Sequence, residues 1–205
     1  MNRKSIYVYI AATLAMVVPA PGRFVCGIIL VLELNFLMLV GTLIKSFIYH
    51  FKLQTIGNVL LLSVMIAATM FVRQILVLTI PLLAVQLGFV IYLPTVSSFL
   101  IGYMFGSEGL SLSKDISRNM LQCLFYSVYA LIFFLFRDIA GFGTITLLTR
   151  HGIYEKVLFD SGKISALVFF ATIPGALVCS AVILILHVYV INKITILENL
   201  EHIND

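Results

Sequence analysis

The sequence predicts an all-α, polytopic membrane protein of about six transmembrane segments, arranged as two inverted three-helix repeats. Three observations predict it. The chain has 205 residues, of which 61% are hydrophobic and 11% charged. A soluble globular domain carries roughly 25% charged residues, so these charges are too few to cover a water-facing surface. The apolar residues run in stretches close to the ~20 that a spanning helix needs. Finally, the first and fourth stretches are short or broken at corresponding places of the two halves, which is the sequence sign of an inverted repeat. Prolines are also simply frequent in membrane helices, and the pattern alone weighs the two readings evenly.

The first apolar segment covers residues 5–18, too few to span the hydrocarbon comfortably, and Pro19-Ala20-Pro21-Gly22 ends it. The second runs from Phe24 to Phe47 with Glu33 and Asn35 near its middle, and a polar loop with His50, Lys52, Gln54, Gly57 and Asn58 follows. The third runs from Val59 to Leu78, with Arg73 and Gln74 towards its end. The fourth, Pro81 to Met104, is interrupted at Gln86 and Gly88, at Pro94 and at Ser97-Ser98. A loop from Gly106 to Lys114 leads to the fifth, Ile116 to Phe136, which ends at Arg137-Asp138. A long charged connection, Ala140 to Lys163, precedes the sixth segment, Ile164 to Ile191, which contains Pro174-Gly175. The expected organisation is one membrane domain: residues 1–78 as the first repeat, 79–192 as the second, and 193–205 as a polar tail.

The net charge of +4 reports topology in such a chain and gives no basic, aromatic-interleaved stretch for nucleic acid. Six crossings put both termini on one side, and the Lys and Arg residues divide seven to six between the sides. The crowding of Arg150, Lys156 and Lys163 into the longest loop slightly favours cytoplasmic termini. Cys26, Cys123 and Cys179 are far apart in apolar stretches and read as buried thiols. Residues 5–18 read as retained structure, because Pro19 and Pro21 interrupt the small-residue site that a leader would need. No Ser/His/Asp grouping, phosphate loop or paired catalytic carboxylates occur, so chemistry carried by this chain alone is not expected.

Three stretches carry a family resemblance. They are Leu87-Gly-Phe-Val-Ile-Tyr-Leu-Pro-Thr-Val-Ser-Ser-Phe-Leu-Ile-Gly102, Arg137-Asp-Ile-Ala-Gly-Phe-Gly-Thr144 and Ile173-Pro-Gly-Ala176. In order and spacing they resemble the six-helix integral subunits of the Rnf and Nqr complexes, especially the RnfE/NqrD branch, with RnfA/NqrE as its close relative. The resemblance implies a multi-pass subunit in a bacterial inner membrane, packed beside a homologous subunit in a complex that couples electron transfer to sodium or proton movement. Family members hold a [2Fe–2S] cluster on one cysteine from each half-helix. Here the matching positions are Ser98, with Ser97 at the family's asparagine, and Thr13 or a neighbour among residues 11–14. A hydroxyl is a poor substitute for a thiolate at iron, so the resemblance implies the fold without the cluster, and no other cofactor is expected.

Glu33 is the sharpest candidate for function. A carboxyl mid-span costs about 2.5–3.5 kcal/mol on insertion scales and usually faces a bundle interior or cavity. It reads either as an ion or proton site with Asn35 nearby, or as a protonated acid bonded to a neighbouring helix. Arg137 and Asp138 read as a local ion pair at the interface, or as a contact that fixes the Gly141-x-Gly143 turn or docks a partner. Thr13, Ser97 and Ser98 read as caps for freed backbone groups, or as hydroxyl ligands for a cation between facing half-helices. Two functions remain in view: a membrane subunit of a redox-driven ion-translocating complex, or a small transporter or substrate-binding transporter subunit.

Overall fold

The computed structural model describes residues 11–53, 55–105, 112–149, 152–159 and 168–183, with the single residues 185, 189 and 193. Side chains 102–115 lie outside that description. So do residues 5–10 of the first expected segment, 164–167 and most of 184–191 of the sixth, and the polar tail after residue 193.

The described chain begins with a π-turn, Thr13–Val17, in which the Val18 N–H reaches back to the Thr13 carbonyl. After the Pro19–Gly22 break come α1 (Phe24–His50) and α2 (Gly57–Thr79). The fourth segment is three pieces: α3 (Pro81–Leu87), a 3-10 turn (Gly88–Tyr92) and α4 (Leu93–Phe105). Then follow α5 (Leu112–Phe142), strands β1 (Thr144–Thr149) and β2 (Gly152–Val157), a 3-10 turn (Phe169–Ala171) and α6 (Ile173–Ile183).

Four helical stretches are long and apolar enough to cross a membrane: Phe24–His50, Gly57–Thr79, Pro81–Ile101 and Ile116–Phe142. At 1.5 Å per residue, even the 23 residues of α2 exceed the roughly 30 Å hydrocarbon core. Their outer surfaces suit lipid. Leu78 is 83% exposed and Phe71 61%, both on α2, and such an apolar surface has no stable place in water.

Helix α1 is the centre of the bundle and packs against α5, α4 and α2. Cys26, Leu30, Glu33 and Leu37 recur at helical spacing along one buried stripe of it. Within lipid, apolar transfer does not drive helices together, so close packing must. Gly27 supplies it: a Cβ there would collide with the Phe134 ring of α5.

Three expectations are corrected. The chain is not wholly α, because β1 and β2 pair antiparallel from Thr144↔Val157 to Thr149↔Gly152 inside the stretch expected as a plain connection. The hairpin is only 6 residues per strand and its hydrophobic alternation is weak, so contacts to α5 rather than local pattern hold it. Helix α5 runs past Arg137-Asp138 to Phe142, since nothing breaks it before Gly143, whose φ of +68° ends it in a conformation open to glycine. Pro81, Pro94 and Pro174 start helices and do not kink them. Pro81 opens α3, and Pro94 and Pro174 are each the second residue of their helix, where no intrahelical N–H is needed. The break in the fourth segment lies instead at Gly88, with φ +49°. Ser97 and Ser98 sit within regular α4.

Candidate functional site

The discontinuous pieces of the fold meet. The π-turn packs on α4 and α5, and at the contact the Ser97 hydroxyl donates to the Ala12 carbonyl at 3.0 Å. Ser98 donates to the Thr95 carbonyl one turn back, also at 3.0 Å. Thr95 in turn shares a 2.7 Å hydroxyl–hydroxyl bond with Thr69 of α2. Thr13, 3% exposed, interacts with the phenols of Tyr126 and Tyr129 on α5. The hydroxyls expected at the half-helix junction are therefore buried together there, and each is engaged by protein groups. That is what a broken helix in lipid requires, because water does not reach its freed carbonyls.

Glu33 and Asn35 are not brought together. Residues two apart on a helix point about 200° from one another. Asn35 turns toward α5, where its Nδ2 donates to Ser127 Oγ at 2.7 Å and to its own Val31 carbonyl at 2.8 Å. Ser127 passes the chain on to the Cys123 carbonyl. Asn35 is thus an interhelical tie. Glu33 lies on the Cys26–Leu30–Leu37 stripe and is 3% exposed, and neither carboxyl oxygen has a hydrogen-bond partner among the described residues. Buried polar groups are nearly always paired, so this carboxyl is an exception that calls for a ligand or a proton.

Arg137 and Asp138 do not form a local ion pair; Arg23–Glu155 at 2.7 Å is the salt bridge found among the described residues. The two side chains serve opposite kinds of orphaned backbone. Arg137, 1% exposed, donates from Nη1 to the carbonyls of Val17 and Ala20, each at 3.0 Å. It also donates from Nη2 to Ala171 at 3.0 Å and from Nε to Phe170 at 3.4 Å. These carbonyls end the π-turn and the second 3-10 turn, where a helix presents unsatisfied oxygens and partial negative charge. Asp138, fully buried, collects donors: Phe24 N–H at 3.2 Å, Thr146 N–H at 2.8 Å, Thr146 Oγ1 at 2.7 Å and Thr144 Oγ1 at 3.0 Å. Phe24 is the first residue of α1, so this carboxylate caps a helix N-terminus and anchors the hairpin at once.

The glycines of the same region make room. A Cβ on Gly141 would lie 2.6 Å from the Ala171 Cβ, and one on Gly143 would meet the Phe159 carbonyl. Gly175 faces the carbonyl of Phe169 in the same way, and its N–H is capped by Thr172 Oγ1 at 3.3 Å. Arg23 closes the end of the bundle over the Phe142 ring, 4.4 Å from its centroid.

Sequence reasoning passed over Tyr126, Tyr129, Ser127 and Thr146. Only Thr146 had a usable signal, its place two residues beyond the Gly-x-Gly-Thr stretch. The three cysteines are free and buried, and no three His, Cys, Asp or Glu side chains converge among the described residues. Set against family models, curated proteins and solved structures, the chain matches none of them.

Proposed function

We propose that this chain is an integral membrane subunit of the Rnf/Nqr type, working within an electron-transport-coupled complex that moves sodium or protons. Its role there is structural or as part of an ion path, without an iron–sulfur cluster of its own. The observation that carries this reading is the hydroxyl junction, where Ser97 of α4 donates to Ala12 at the head of the π-turn. In the resembled family the corresponding half-helices bring cysteines together. Ser98 and Thr13, the latter or a neighbour among residues 11–14 standing at the second position, are buried at 2% and 3% exposure. Two three-segment repeats facing each other across this junction give six crossings, with both termini on the cytoplasmic side of a bacterial inner membrane. The Arg137–Asp138 pair supports the same reading, because the resembled Arg-acid-x-x-Gly-x-Gly-Thr stretch here ties the broken segments to the hairpin.

Purification from native membranes with crosslinking tests the proposal. The expected result is recovery together with a homologous six-helix subunit and with flavin-carrying and NADH-oxidising subunits. Recovery as a lone chain, or a stoichiometric iron–sulfur absorption in the purified subunit, would overturn it.

Glu33 favours a second reading. A carboxyl unpartnered within the span Phe24–His50 also suits a small transporter, or the membrane-embedded binding subunit of one, for an ion or small solute. Loss of solute uptake in Glu33→Gln, with respiratory ion pumping unchanged, would select this reading over the first.

A further inference from the structure

We propose that Glu33 holds a proton inside the membrane, and that its site takes H+ and excludes sodium. Glu33 is the tenth residue of α1, about 14 Å along the helix axis from its start and hence near the middle of the hydrocarbon. Both carboxyl oxygens are buried and lack a hydrogen-bond partner among the described residues. An ionised carboxylate in such surroundings is far more costly than the neutral acid.

A metal cation would relieve that cost only with a shell of several oxygens, and the buried residues of its own stripe supply no side-chain oxygen. The residues sharing its stripe are Cys26, Leu30 and Leu37. The buried hydroxyls of the half-helix junction are committed elsewhere: Ser97 to the Ala12 carbonyl, Ser98 to the Thr95 carbonyl, Thr95 to Thr69, and Thr13 to two tyrosines. A proton needs no shell.

Among the described residues no charged side chain pairs with this carboxyl. On its own helix, Arg23 is paired with Glu155, and Lys45, Tyr49 and His50 lie three or more turns away. The π-turn contributes no acidic or basic residue. Neither does α4, whose Tyr103 side chain is outside the described residues. On α2 the one charged residue, Arg73, is exposed. On α5, Arg137 and Asp138 are taken up by backbone groups, Tyr126 and Tyr129 interact with Thr13, Arg118 and Cys123 also lie on this helix, and the side chains of Lys114 and Asp115 are outside the described residues. Among the described residues the carboxyl thus has no ion-pair partner that would hold it ionised.

This occupancy rests on the ion-path reading above only for its use; the occupancy itself is read on the carboxyl alone. The test is covalent labelling of the purified full-length chain in detergent with the apolar reagent dicyclohexylcarbodiimide. The acid proton passes to a carbodiimide nitrogen and a carboxyl oxygen bonds to the central carbon. The adduct then rearranges to a stable N-acylurea with no atom lost, so the peptide gains the whole mass of the reagent. The expected result is an adduct on the peptide containing Glu33, equal in sodium chloride and in choline chloride, lost in Glu33→Gln and kept in Glu33→Asp. Absence of an adduct in the wild type, or its suppression by sodium, would overturn the proposal. Proton uptake into proteoliposomes, compared between wild type and Glu33→Gln, reads the path separately. Equal uptake with labelling intact would sink the ion-path reading and leave the proton on Glu33 standing.

Discussion

One carboxylate oxygen of Asp138 accepts both the main-chain N–H and the hydroxyl of Thr146, at 2.8 and 2.7 Å. The same Thr146 hydroxyl accepts from the Val25 N–H at 3.2 Å. Asp138 and Thr146 therefore close a relay from the end of α5, through the hairpin, to the start of α1. Each link satisfies a main-chain N–H that would otherwise be buried and unpaired.

Thr146→Val keeps the shape and removes both hydroxyl bonds. Stability in detergent is expected to fall by about 1–3 kcal/mol, the usual cost of stranding buried groups. Amide exchange at Val25 is expected to accelerate. Thermal unfolding with exchange mass spectrometry checks both, and a wild-type exchange rate at Val25 would show that the relay does not hold α1.

Arg137 is a donor to four carbonyls from two separate turns. Arg137→Met is expected to lose at least about 3 kcal/mol, because several buried oxygens lose their donor together. Arg137→Lys is expected to fall between the two. A lysine keeps the charge but not the planar fork that reaches both turns. Thermal inactivation curves for the three proteins give the order, and a lysine variant as stable as wild type would reduce the role of Arg137 to charge alone.

Gly143 has φ +68°, and the Phe159 carbonyl occupies the space a Cβ would take. The two N–H groups of Leu158 and Phe159 also converge on its carbonyl, at 2.8 and 3.2 Å. Gly143→Ala adds about 1–2 kcal/mol of left-handed strain and a collision. The hairpin is expected to detach while helix content stays constant. Faster exchange confined to residues of β1 and β2, with an unchanged far-ultraviolet helical signal, is the signature to look for.

Asn35 and Ser127 are joined at 2.7 Å across the α1–α5 contact. Interhelical bonds of this kind in membranes are worth about 0.6 kcal/mol on average and reach roughly 1.7. Asn35→Leu and Ser127→Ala should each cost about that much, and the double variant no more than the larger single loss. Full additivity in the double-mutant cycle would mean that the two side chains act independently.

Much of the fold was legible because lipid imposes a coarse rule. A helix that crosses a bilayer needs a long apolar run; the runs from Phe24, Val59 and Ile116 each became a long helix, and the run from Pro81 became a helical stretch broken at Gly88. What the rule leaves out is short or polar. The strands at Thr144 and Gly152 have little alternation of their own, and they exist because Asp138 and Gly143 fix the first of them. At the candidate site, the burial of Glu33 was legible from its place in an apolar run. The separation of Asn35 from it depends on which neighbour occupies each side of α1.

By itself, the sequence determined that this protein belongs in a membrane, where its long segments lie, and that the first and fourth are interrupted. Those properties follow from composition and from proline and glycine, which act locally. Only the tertiary structure decided where the interruptions are repaired. Arg137 and Asp138 are neighbours in sequence, yet one serves carbonyls at residues 17, 20, 170 and 171 and the other serves N–H groups at residues 24 and 146. Adjacent opposite charges suggest a pair to a reader of sequence. In the folded protein each finds a better partner, because freed backbone groups in lipid have no water to turn to and two helix ends of opposite polarity converge there.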